Sequence, residues 1–142
     1  MPVVVFHLVE GRHPDAAVGR LLERACVLFA DVLETPVARV RAFAQTYPPQ
    51  RVAVGGSLVS DGAAEAPFFQ FALLAGRPEE QRRRLLAGFT DLLVDILGAD
   101  RALVRGGIWT VAPEDWTIGG VTAAELRADE IRARAAAASG GT

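Results

Sequence analysis

The feature that most constrains this chain is that it repeats itself. PVVVFHLVEGR at residues 2–12 aligns with PFFQFALLAGR at residues 67–77, so that Pro2 falls on Pro67 and Arg12 on Arg77 at an offset of 65. Further on the offset is 64: VARVRAF faces RALVRGG, with Arg41 on Arg105, and Val52 falls on Trp116 ahead of the paired glycines Gly55-Gly56 and Gly119-Gly120. A one-residue insertion in the first half reconciles the two offsets. The repeat divides one domain into repeat 1 (2–56), a linker (57–66), repeat 2 (67–120) and a C-terminal helical extension (121–142).

Each half reads as the same βαβ unit. Residues 3–9 and 68–74 are apolar runs of strand length. Residues 15–33 carry Leu21, Leu22, Ala25, Leu28, Phe29, Val32 and Leu33 at helical spacing. Leu85, Leu86, Phe89, Leu92, Leu93, Ile96 and Leu97 make the equivalent stripe in the second half, with Arg82, Arg83 and Arg84 as a solvated face. Thr35-Pro36 and Gly98 end the helices, and strands are expected near 38–45 and 102–110. A crossover helix makes the two strands of each unit parallel. The expected fold is therefore α/β: a four-stranded sheet with two helices on one face. A third helix is expected over 122–138, capped by Thr122 with Glu125. The other sheet face and the sheet edges need cover, and oligomerisation supplies it.

Bulk properties narrow the function. The chain has 142 residues, 51% hydrophobic and 23% charged, with a net charge of −2. That balance suits a soluble globular domain and argues against a broad grip on nucleic acid or membrane. No signal peptide or membrane span is visible, so a cytoplasmic protein is expected. The single cysteine, Cys26, excludes an internal disulfide and sits in an apolar helical run as a small core residue. His7 and His13 lack the further ligands a metal site needs. No cofactor is implied.

Pro2 has two readings. Proline is tolerated at the first residue of a strand because it need not donate to the ladder. Alternatively, removal of Met1 leaves Pro2 with a free secondary amine, a base that an apolar pocket and nearby arginines would bring toward neutral pKa. Pro67, acylated by Ala66, has no such amine.

These motifs resemble the 4-oxalocrotonate tautomerases: the opening proline with the LVEGR turn, TPVARVRAF, and the aromatic-x-Ile-Gly-Gly pattern in WTIGG. Two copies over about 120 residues make the chain similar to the fused members of the tautomerase superfamily. RPEEQRRRLL with PEDWTIG also resembles the malonate semialdehyde decarboxylase branch. The resemblance implies a tandem βαβ tautomerase fold and a cofactor-independent isomerase that moves a proton on a small carboxylated keto-enol substrate. It implies Pro2 as general base, Arg77 or Arg12 and Arg41 or Arg105 as ligands of carboxylate and enolate oxygens, and Trp116 as a wall of the site. A guanidinium fork suits both a carboxylate and a developing enolate.

The resemblance also implies a homotrimer with three competent sites, each placing Pro2 against Arg77 and Trp116 of the second half. A second-strand arginine, Arg41 before Arg105, would come from a neighbouring chain. Arg12 and Val52 would line the copy around Pro67. A lyase or hydratase of the same superfamily, or a non-catalytic homologue, is the alternative. VARVRAF has no acidic residue and LLAGR has one arginine, both departures from the decarboxylase and hydratase branches.

Overall fold

The computed structural model describes residues 2–141. The expected removal of Met1 concerns a residue outside that range. The first half forms β1 (Val3–Val9), α1 (Asp15–Leu33) and β2 (Arg41–Tyr47), followed by a hairpin of β3 (Ala53–Val54) and β4 (Ser57–Leu58). The second half repeats this as β5 (Phe68–Leu74), α2 (Glu79–Leu97), β6 (Arg105–Val111), and a hairpin of β7 (Thr117–Ile118) and β8 (Val121–Thr122). The main sheet has the order β2-β1-β5-β6. Within each half the strands are parallel, and the halves join antiparallel through β1 and β5, with Val3 opposite Ala72 and His7 opposite Phe68.

Alternation decides what the sheet buries. Val4, Phe6 and Leu8 on β1 and Phe69, Phe71 and Leu73 on β5 face the helices and are buried. They pack with Leu21, Ala25 and Phe29 of α1 and Leu85, Phe89 and Leu93 of α2. Phe89 sits edge-on to Phe6, Phe29, Phe69 and Phe71, with ring centroids 5.0–5.8 Å apart, an arrangement that adds to the area buried. Among the described residues no helix lies over the opposite face. Phe43 and Trp109 stand 53% and 52% exposed there, beside half-buried Val3, Val5 and Phe68.

The elements depart from expectation in three places. Val37–Arg39 and Arg101–Leu103 are 3-10 turns, so β2 and β6 begin at Arg41 and Arg105 rather than near 38 and 102. Val40 and Val104 are buried as plugs beneath those turns, which explains their apolar character. Residues 57–61 are not linker: Ser57-Leu58 closes the first hairpin on Ala53-Val54. The C-terminal helix is broken, with α3 (Ala123–Leu126) and α4 (Ala128–Ser139) meeting at Arg127, whose backbone leaves the helical region. Thr122 does cap it, accepting from the Glu125 amide at 3.3 Å. Among the described residues no helix is long and apolar enough to cross a membrane, and no cluster of three metal-ligating side chains occurs.

Candidate active site

The antiparallel join between the halves determines where each proline lies. Because β1 runs against β5, the start of one strand sits beside the end of the other. Pro2 therefore meets the end of the second half's first strand, and a small cavity beside it is lined by Leu33, Leu73, Leu74 and Arg77. Pro2 is buried, and its carbonyl accepts from the Arg41 amide at 3.0 Å. Pro67 repeats this contact with the Arg105 amide, also at 3.0 Å.

Arg77 is the charged group at this end. Gly76 takes a positive φ of 101°, a conformation glycine adopts without strain, and turns the chain so that Arg77 folds inward. Its Nη1 donates to the Leu33 carbonyl at the C-terminus of α1, at 3.0 Å. Burial holds its pKa down to about 10, and Arg134 of α4 pushes the same way, against Glu130 and Glu34. The same guanidinium lines a wider cleft of about 430 Å³ with Arg39, Gln81, Glu130 and Arg134. Glu130 is held ionised by the hydrogen bond from Arg39, whose Nη1 lies 3.2 Å from each carboxylate oxygen. The C-terminal extension thus packs over Arg77, and among the described residues no equivalent helix covers Arg12, which is exposed.

The other expected site residues are distributed as follows. Arg41 and Arg105 are exposed at the starts of the two edge strands. Each spends one Nη1 on its own preceding turn: Arg41 on the Ala38 and Val40 carbonyls at 2.9 and 3.1 Å, Arg105 on those of Ala102 and Val104 at the same distances. Trp116 is half-buried on the uncovered sheet face, lining a cavity of about 210 Å³ with Val3, Val5, Gln70, Ala72 and Trp109. Within one chain, then, Pro2 and Arg77 come together. Trp116 lies against Val3, one residue along, but on the other side of the sheet. Arg12 and Val52 lie at the opposite end, with Pro67. His7, Tyr47, Glu65 and His13, which meet at that end, escaped the sequence reading because they are dispersed over 59 residues; the extra residue at His13 was their one visible trace.

A tandem βαβ sheet with a proline at the head of each first strand and an arginine in each following turn defines the class of protein. Residues 67–125 match the family model "Tautomerase enzyme". Residues of this chain are 45% identical to 2-hydroxymuconate tautomerase of Comamonas testosteroni over 60 residues, covering 42% of this chain and 95% of that one. The corresponding enzyme of Pseudomonas putida is 40% identical over the same shares. Among solved structures, a native fused 4-OT superposes with a TM-score of 0.82 at 30% identity, covering 88% of this chain and 98% of that one. A symmetric fused 4-OT trimer superposes with a TM-score of 0.76 at 28% identity, covering 85% and 95%. The chain belongs to the tautomerase superfamily as a fused, 4-oxalocrotonate-tautomerase-like protein. It is a tautomerase, an isomerase class that works without a cofactor.

Proposed function

We propose that the chain catalyses a 1,3- or 1,5-proton shift on a small 2-hydroxydienoate or 2-keto acid of the 2-hydroxymuconate type, with Pro2 as the base. The observation that carries this reading is the cavity shared by Pro2 and Arg77 across the duplication. Once Met1 is removed, the Pro2 nitrogen is a secondary amine in a buried setting. Burial and the Arg77 charge both disfavour its protonated form, leaving a free base near neutral pH. The amine takes a proton from the substrate's hydroxyl or carbon and returns it further along the conjugated chain. Arg77 holds a carboxylate, and a second arginine fork stabilises the dienolate oxygen.

One chain encloses only about 20 Å³ beside Pro2, room for a single water. Wider spaces adjoin it, the cleft of about 430 Å³ at Arg77 and the cavity of about 210 Å³ at Trp116, and a neighbouring copy would complete the enclosure. The uncovered sheet face, with Phe43 and Trp109 exposed, supplies a surface for a neighbouring copy. Trimers are known for fused 4-OT relatives. We infer a homotrimer in which an adjacent chain contributes Arg41, or else Arg105, and Trp116 walls the site against water. The domain division taken with this reading is a single domain of two copies, residues 2–56 and 67–120, joined through 57–66, with the extension 121–142 supplying α3–α4 as a cover over Arg77.

An ultraviolet assay with 2-hydroxymuconate tests the proposal. Wild-type protein should ketonise it, and Pro2→Ala, whose amine differs in basicity and geometry, should lose most of that rate. Undiminished Pro2→Ala turnover would rule out the proline as base. Sedimentation should give the mass of three chains; a stable monomer would contradict the shared site. The absence of an acid in β2 gives no support to the decarboxylase or hydratase alternative.

A further inference from the structure

The end of the molecule around Pro67 has been rebuilt rather than merely left idle. At equivalent positions His7 replaces Ala72, Tyr47 replaces Val111, Phe68 replaces Val3, Arg51 replaces Asp115 and Val52 replaces Trp116. Two further residues have no counterpart in the repeat. His13 is the residue that separates Arg12 from Pro14, whereas Arg77 adjoins Pro78, and Glu65 precedes the second copy. These extra residues meet: His13 Nε2 lies 2.5 Å from Glu65 Oε1, both side chains being largely buried.

The result is a cavity of about 350 Å³ lined by His7, Tyr47, Arg51, Val52, Glu65 and Phe68, among others. His7 lies nearly parallel to Phe68 and Tyr47, with centroids 5.3 and 5.7 Å away. Its Nδ1 is 2.7 Å from the Tyr47 hydroxyl, and its Nε2 is buried without a partner. A buried orphan N–H is rarer than a buried orphan lone pair. The proton therefore belongs on Nδ1, which donates to the Tyr47 oxygen and frees the hydroxyl proton for a ligand. Glu65 is the one acid in the cavity, and both its oxygens are engaged: Oε2 accepts from the Val9 amide at 2.8 Å and Oε1 faces His13. Arg51 is thus the cation left to bind, standing where the other end has an aspartate.

We propose that this end is a second, non-catalytic ligand site for a small planar monocarboxylate. The carboxylate pairs with Arg51 and the Tyr47 hydroxyl, and the apolar body lies against Phe68 in the space left by exchanging an indole for Val52. No proton transfer by proline occurs there, because the Pro67 nitrogen is an amide. The proposal stands on the cavity and the repeat, independently of the role given to Pro2.

Isothermal titration with benzoate as the probe tests it. Binding should persist in Arg77→Ala, which disables the Pro2 end. It should weaken about tenfold or more in Arg51→Ala, the scale of losing a charge-assisted hydrogen bond. Val52→Trp, which fills the cavity without removing a polar group, should also weaken it; Arg51 is exposed, so its removal should leave the melting temperature unchanged. If Arg77→Ala abolishes all benzoate binding, or if the binding that persists is indifferent to Arg51→Ala, the second site does not exist.

Discussion

The two ends of the sheet are built from the same pieces and differ in what closes them. At the Pro2 end, Arg77 is half-buried, tied to the Leu33 carbonyl and covered by α4, and the equivalent cavity, walled by Trp116 and Trp109, is about 210 Å³. At the Pro67 end, Arg12 is exposed, no helix among the described residues covers it, and a cavity of about 350 Å³ is lined with ring and charged side chains. On the proposed mechanism the difference traces to the peptide bond at Ala66–Pro67. It removes the amine from one copy, so selection on the residues around the two prolines has no reason to run in parallel. A duplicated fold keeps its core pairs and lets its ends diverge.

The largest effect that separates the ends should be kinetic. Arg77→Ala should cost roughly 2–4 kcal/mol in kcat/KM, by analogy with removing an oxyanion donor. Arg12→Ala at the equivalent position should stay within about 0.5 kcal/mol, as surface substitutions do. Steady-state kinetics on the two variants decides this, and a larger loss for Arg12→Ala would show that Pro2 uses the arginine of its own half. The same guanidinium carries a pH signature. Burial lowers its folded pKa to about 10, so its charge is present below that value and is lost as pH rises through it. The rate should therefore fall on the alkaline side near pH 10, and this limb should be absent from the residual activity of Arg77→Ala.

A smaller effect tests the core pairs. Val4 opposes Ala42 in the first half, and Phe69 opposes Gly106 in the second. A methyl group at Gly106 would lie 2.1 Å from Phe69 Cζ. Gly106→Ala should destabilise the protein by about 1–3 kcal/mol through overpacking. Combined with Phe69→Val, which recreates the first-half pair, it should cost less than the two changes added separately. Denaturant melts of the three variants measure this coupling, and strict additivity would show that the two positions do not compensate.

Much of this was legible in the chain itself. Helical periodicity located α1 and α2, the crossover helices implied the parallel strand pairs, and the repeat gave the equivalence of Pro2 with Pro67. The glycine pairs Gly55-Gly56 and Gly119-Gly120 form the turns of the two hairpins. The strand starts were misplaced because Val37 and Val40 look like strand residues, yet only Val40 is buried, as the plug of a 3-10 turn after Pro36. The juxtaposition of Pro2 and Arg77 was implied only by the resemblance to the fused tautomerases; in the structure it comes from β1 running against β5, which puts Pro2 beside the second half's turn. The His7, Tyr47, Glu65 and His13 group was not legible. Each has an ordinary reading alone, and contacts spanning 40 to 56 residues leave no local pattern.

The central claim is that one amine per chain does the chemistry, and capping it tests that claim directly. Protein carrying a cleavable N-terminal extension should assemble and melt like the mature form but leave 2-hydroxymuconate unconverted. Proteolysis that exposes Pro2 as the first residue, checked by intact mass, should restore full turnover. Equal activity before and after cleavage would contradict the account, because a Pro2 nitrogen held in a peptide bond is no better a base than that of Pro67.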